Sequence, residues 1–310
     1  FSAVNWMTMS KIAASWVISP VLGGVIAALF LWLIKSRIIY QPDKIAAARR
    51  WVPILIAIMS GAFASYLALK GIKKIIKIDI QTAIIIGFLI GVATWAITKP
   101  IIAKQSVGME NRNKSLKQLF NIPLIVSAAL LSFAHGANDV ANAVGPLAAI
   151  VQASSSGEYI TAISIPLWVM VIGAAGISFG LFLFGPKLVR VVGSQITKLN
   201  QMRAYCVALS AAITVIVASW LGLPVSSTHI AVGSVFGVGF FREWDSARRM
   251  KLAKLSSDKN QLVVAKEERA RRKLVRRSHF MSIIAAWIIT VPSAAVISGV
   301  IYSVILFSTG

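Results

Sequence analysis

Phe133-Ala-His-Gly-Ala-Asn-Asp-Val-Ala-Asn-Ala-Val-Gly-Pro146 lies inside an apolar run that covers approximately residues 120–150. An ionised carboxylate near a bilayer centre costs about 2.5–3.5 kcal/mol on insertion scales, and residues that bear this cost usually line an ion or substrate path. Asp139 is that residue: of ten acidic side chains, the other nine fall in loops or at membrane edges. On a helix, Asn138, Asp139 and Asn142 share one face, and His135 stands four residues before Asp139. The Gly and Ala between them leave backbone accessible and let neighbouring helices approach closely. The bland alternative is a polar clamp between helices, with Asp139 protonated or paired to a base. Four polar groups this concentrated need partners in hydrocarbon, and that requirement favours a binding site.

Outward from this run the chain is built for lipid. Its 310 residues are 57% hydrophobic and 14% charged, with mean hydropathy +0.78. Soluble domains carry roughly 25% charged residues. The apolar excess comes in runs of about 20, the length that crosses a hydrocarbon core of about 30 Å. Eight such stretches lie at approximately 12–34, 51–69, 82–98, 120–150, 164–185, 204–223, 228–241 and 281–308. The expected fold is all-α, a polytopic helical membrane protein with inverted repeats and broken or re-entrant helices. The fourth stretch is too long for one simple span and holds Gly136, Gly145 and Pro146. The seventh is too short to cross alone. Both read as broken or re-entrant. The single cysteine, Cys206, excludes an intrachain disulfide framework.

The net charge of +22 would point to nucleic acid in a soluble chain. Here the charge sits between apolar runs, the pattern of topology control by cytoplasmic positive charge, so no nucleic acid is expected. Residues 35–50 hold five Lys/Arg, 99–119 five, 186–203 four and 242–279 thirteen. Alternation through eight crossings puts all of these on one side. The 70–79 loop, with four lysines, falls on the other side and departs from the rule. Against its thirteen bases the 242–279 loop has five acids. It reads as a basic cytoplasmic helix or partly disordered connector able to meet membrane lipid headgroups.

Two further features bear on function. Trp16-Val-Ile-Ser19, with Pro20 next, echoes Trp287-Ile-Ile-Thr290, with Pro292 close behind. Alternation gives these segments opposite directions, the mark of inverted repeats in transporters. The second feature is Leu223-Pro-Val-Ser-Ser-Thr-His229, where Ser226, Ser227 and Thr228 follow a proline and precede a short apolar helix. Such a start offers free amides and a positive dipole end to an anion, although read alone it is equally a capped helix. An oxyanion beside Asp139 would be repelled unless a cation or proton lay between them, so coupled transport follows physically. His135 or His229 are candidates to carry a proton.

At these residues the chain resembles the inorganic phosphate transporter (Pit) family. The matching motifs are Gly136-Ala-Asn-Asp-Val-Ala-Asn142, continued by Ala143, Val144 and Gly145, and Pro224-Val-Ser-Ser-Thr-His229. Ser227 stands where Thr is more usual, keeping the hydroxyl. The resemblance implies two inverted repeats, each with one copy of each motif. It implies that residues 1–34 end the first repeat and 35–119 are connecting helices and loops. Residues 120–241 are then the second repeat core, 242–279 the basic loop and 280–310 the final helix. The chain begins with Phe, so the upstream motif pair is expected before Phe1, and this stretch alone is not expected to transport. Asn138, Asp139, Asn142, Ser226, Ser227 and Thr228 are implied as half of a substrate site for inorganic phosphate. Asn138, Asp139, Asn142 and His135 are implied as a site for the coupling cation, H+ or Na+. No other cofactor is expected.

The residues leave several points open: phosphate against sulfate, the coupling ion, a metal–phosphate complex as cargo, and homodimer assembly. A bacterial plasma (inner) membrane is the expected location. An enzyme is not expected, because Ser226 and His229 on one turn cap a helix more readily than they form a triad, and no Gly-x-Ser-x-Gly elbow exists. A passive anion channel is disfavoured by broken helices near the midplane, which suit alternating access.

Overall fold

Glycine and alanine let the helices of this protein meet backbone to backbone. The computed structural model describes residues 5–70, 79–156, 165–190, 199–255 and 277–309. Among them are α1 (Trp6–Ile34), a π-helical turn (Lys35–Ile39), α2 (Lys44–Lys70), α3 (Ile80–Gln105) and α4 (Asn113–Leu119). After these come α5 (Asn121–Ser156), α6 (Leu167–Arg190), α7 (Gln201–Trp220), α8 (Ser227–Leu255) and α9 (Arg277–Thr309). No strand occurs among the described residues. Among the described residues seven helices, α1, α2, α3, α5, α6, α7 and α9, are long and apolar enough to cross a membrane. The chain is a multi-pass helical membrane protein.

α7 is the buried centre. Tyr205, Cys206, Leu209, Ala211 and Val215 are fully enclosed, and the Tyr205 hydroxyl donates to the Leu55 carbonyl at 3.2 Å. Phe120 meets the Tyr205 ring edge-on at 5.8 Å. α1 lies along α8, and Ser234 of α8 accepts a 2.8 Å hydrogen bond from Ser210 of α7. The α1–α8 contact depends on Gly237: a Cβ there would strike the Gly24 backbone. This is how membrane helices pack without a hydrophobic drive between them. α3, α6 and α9 turn large apolar side chains outward, Phe88, Phe182 and Phe307 among them, which suits lipid tails.

Two expectations about breaks resolve differently. The fourth stretch, read as broken, is continuous α5, 36 residues long with Pro146 inside it. At 1.5 Å per residue it spans about 54 Å, more than a bilayer core needs. Pro146 removes one hydrogen bond, but adjoining Val144 and Ala148 pack on Val169 of α6 and hold the helix through it. The seventh stretch does not stop at 241 either; α8 runs on through the basic residues to Leu255. The backbone break lies at residues 221–226, between α7 and α8.

The basic ends gather on one side, as the charge pattern predicts for the loops described. Arg49 donates to Ser106 at 2.6 Å, and Asn111 donates to the Pro42 carbonyl at 2.7 Å. Residues 71–78, which carry most of the discordant lysines, lie outside the described residues, as do 256–276 of the basic loop. Asp245, read from sequence as a loop residue, is buried here. It accepts from Lys35 at 2.5 Å and from the Tyr40 hydroxyl at 2.6 Å, across more than 200 residues of chain. Helix α8 carried it inward, because the helix continues past the apolar stretch.

This cluster has a defined pH response. Burial alone would raise the Asp245 pKa, but hydrogen bonds from Lys35 and Tyr40 and the charges of Lys35 and Arg249 outweigh it and hold the carboxyl below 3.8. Its folded value is depressed, so its contribution is complete above pH 3.8 and lost as pH falls through the lower folded value. Burial first, then the hydrogen bond to Asp245, pushes Tyr40 up from 10.0 to about 12. That contribution is complete below pH 10.0 and lost as pH rises through about 12. Asp245→Ala is expected to destabilise by about 3–5 kcal/mol, the cost of removing one member of a buried ion pair. Thermal unfolding of the purified full-length protein checks this, and a change below about 1 kcal/mol would refute the buried pairing. Gly237→Val is expected to cost about 1–3 kcal/mol by forcing α1 from α8, read by the same melting measurement.

Candidate functional site

The break between α7 and α8 has a local cause. Gly222 adopts φ +69, a left-handed conformation that ends α7. Gly222 N–H donates to Ser219 O at 3.2 Å, and Leu223 N–H donates to Ala218 O at 2.9 Å. This pair of bonds is a Schellman cap. Pro224 then keeps the chain extended, and Ser226 starts α8 by accepting from His229 N–H at 3.3 Å. Irregular backbone at membrane depth is tolerated where protein groups satisfy it.

Those groups come from α5. Asn138 Nδ2 donates to the Val225 carbonyl at 2.8 Å, and Asn142 Nδ2 donates to the same oxygen at 3.2 Å. Ser15 of α1 shares its hydroxyl between Ile12 O and Pro224 O, at 2.6 and 3.3 Å. Asp139 completes the junction. Its Oδ1 accepts from Ser227 at 2.8 Å and from Asn138 at 3.0 Å, while Oδ2 meets His135 Nε2 at 2.7 Å. The two motifs are 87 residues apart yet directly bonded.

A cavity of about 1280 Å³ opens beside this junction. Asp139, Asn142, Ser226 and His229 reach it, against largely apolar walls from α1 and α8. Trp16 lines it, and so do Ile288 and Thr290 from the echoed segment of α9. The Asp139 side chain keeps 30% of its surface exposed, so it is both clamped and accessible.

The other candidates stand differently. Asn138 and Ser227 are buried behind the cavity wall, with 7% and 1% of their surface exposed. Ser227 turns its hydroxyl onto Asp139 rather than into the cavity, so it positions the carboxylate. Thr228 is exposed and does not line the cavity. His135 touches Asp139 but lies outside the lining. Ser226, His229 and Asp139 do not form a hydrolytic triad: the Ser226 hydroxyl caps an amide, and Asp139 is bonded to His135 and Ser227. The Val225 carbonyl and Ser15 were missed in sequence. A backbone oxygen carries no residue-type signal, and Ser15 differs little from any helical serine.

Ser227→Ala is expected to remove about 1 kcal/mol of support from Asp139. Gly222→Ala is expected to cost about 1 kcal/mol through backbone strain. Denaturation of the full-length protein measures both losses, and unchanged stability in the pair would contradict the described turn.

Comparisons with known proteins agree on one family. The model of the phosphate transporter family matches residues 1–298. A relative from Helicobacter pylori strain J99, described as "Putative phosphate permease", is 43% identical over 97% of this chain and 66% of its own length. A relative of the same description from Pyrococcus furiosus is 30% identical over 100% of this chain and 68% of its own. Among solved structures, "The sodium-dependent phosphate transporter" matches with TM-score 0.70 and 32% identity, covering 84% of this chain and 63% of that one. The chain thus spans 66% of the length of the Helicobacter pylori relatives.

Proposed function

The chain belongs to the phosphate transporter family, and on that premise we propose that the protein carries inorganic phosphate across the membrane by symport with a cation. The observation that carries this reading is Asp139 and Asn142 sharing one cavity with Ser226 at the start of α8. The Asn138 and Asn142 amide nitrogens are committed to Val225 O. Their amide oxygens are thereby the groups left to join the Asp139 carboxylate around a cation. Three hard oxygens of this kind suit sodium, and the solved relative's description as sodium-dependent favours that ion over a proton. His135 is bonded to the same carboxylate and belongs to the same cluster.

Phosphate in this reading sits at the α8 start, where Ser226 and the first-turn amides face it. Asp139 and phosphate repel each other in a site walled by apolar side chains, and the cation between them removes the repulsion. Neither charge is then held well without the other, which is the physical basis of coupling. Ser227 and Asn138 serve by fixing the carboxylate, and the exposed Thr228 has no direct part. The basic end faces the cytoplasm of a plasma membrane.

Asp139→Asn in the full-length protein is expected to lower cation-driven phosphate uptake about tenfold or more, roughly 1.4 kcal/mol, with surface expression kept. Proteoliposomes under separate sodium and proton gradients, with labelled phosphate and sulfate as competitor, provide the assay. Equal uptake by the variant and the parent would remove Asp139 from the mechanism. Stronger competition by sulfate than by phosphate itself would reassign the cargo.

A further inference from the structure

Two successive carbonyls in the break between α7 and α8 are held by different helices. Asn138 and Asn142 of α5 donate to Val225 O, at 2.8 and 3.2 Å. The Pro224 carbonyl just before it meets α1 instead, through the Ser15 hydroxyl at 3.3 Å. Pro224 and Val225 line the transport cavity, and Ser226, which caps α8 there, follows directly in the chain. A residue that fixes Pro224 therefore also fixes the direction in which Ser226 presents its hydroxyl.

The α1 side of this contact is held in place. Ser15 is 6% exposed, and its neighbour Trp16 lines the same cavity. Further along, the Pro20 backbone lies against Gly233, Gly24 against Gly237, and Lys35 pairs with Asp245. These contacts register α1 along α8 and leave Ser15 opposite Pro224. The contact itself is loose. A hydroxyl has one proton to donate, and Ser15 has two acceptors for it: Ile12 O in its own helix at 2.6 Å and Pro224 O at 3.3 Å. Bonding back to the preceding turn is the local alternative open to a helical serine. The Ser15 hydroxyl thus stays bonded whether or not it holds Pro224. Val225 O, with two amides on it, makes α5 the firmer anchor.

We propose that Ser15 is a positioning residue of the transport site, a releasable tie that acts through Pro224 on Ser226. It lets α1 part from the break without leaving its own hydroxyl unpaired. The inference rests on the reading of Ser226 as an anion contact. Alternating access requires contacts that form and break around a fixed site. A hydroxyl shared between two acceptors meets that requirement at small cost, because one hydrogen bond replaces another.

The test uses the full-length protein in proteoliposomes with Ser15→Ala, Ser15→Thr and Ser19→Ala. Ser19 is the control: it lies one turn along the same helix, is 5% exposed, and has no hydrogen-bond partner among the described residues. The first readout is amide hydrogen exchange across residues 221–229, which needs no cargo. Ser15→Ala is expected to speed it about fivefold, the scale of one hydrogen bond, while Ser15→Thr and Ser19→Ala stay within about twofold of the parent. The second readout is the half-saturating phosphate concentration for uptake. It is expected to rise about fivefold in Ser15→Ala with the maximal rate held. Once Ser226→Ala is present, adding Ser15→Ala is expected to change it no further, whereas a merely structural loss would add. Should Ser15→Ala not fold, Ser15→Cys, similar in size and a weak donor, takes its place. Unchanged exchange in Ser15→Ala, or an equal change in Ser19→Ala, overturns the tie. Faster exchange with an unaltered half-saturating concentration overturns its role in placing the cargo. Absence of phosphate uptake by the parent sinks the transport reading instead, and the exchange readout still decides whether Ser15 holds the break.

Discussion

One carbonyl oxygen, that of Val225, ties α5 to the break between α7 and α8. Asn138 and Asn142 both donate to it from α5, and the chain can interrupt its helix at 221–226 because those donors are present. An unsatisfied carbonyl in hydrocarbon costs several kcal/mol. The break, the helix start at Ser226 and the cavity beside it therefore stand or fall with two amide side chains. Asp139 lies between those two asparagines in sequence, so the bonds that satisfy Val225 also set where the charge sits.

The same economy appears at the basic end. Asp245 and Lys35 are buried partners, and the ring of Tyr40 lies under Arg249 at 4.7 Å while its hydroxyl reaches Asp245. A pair of this kind adds little net stability over apolar substitutes, but it penalises any register in which one partner is buried alone. It fixes how far α8 slides along α1. Since Gly237 meets Gly24 within the same contact, register and close approach reinforce each other.

Much of the fold was legible because lipid imposes simple rules. Runs of about 20 apolar residues matched α1, α2, α3, α5, α6, α7 and α9 closely, and Lys/Arg placement gave the common side of the described loops. Helix ends were less legible. Pro146 and two nearby glycines looked like a break in α5, whereas the actual break falls at Gly222. Proline and glycine weaken a helix locally, and whether it yields depends on what packs or bonds there. Asp245 shows the same limit: its polar neighbourhood placed it in a loop, while the persistence of α8 buried it.

The site divides along the same line. From residue types alone came the concentration of Asn138, Asp139 and Asn142 on one helical face, the hydroxyl-rich turn, and the conclusion that a buried carboxylate needs partners. Local spacing suffices for these, because 3.6 residues per turn decides which neighbours share a face. Tertiary structure alone decided that Ser227 serves the carboxylate, that Thr228 faces away, and that Val225 supplies the shared acceptor. Contacts across 80 or more residues depend on how two helices are rotated and offset, and that geometry is set by the whole packed bundle rather than by any stretch of its sequence.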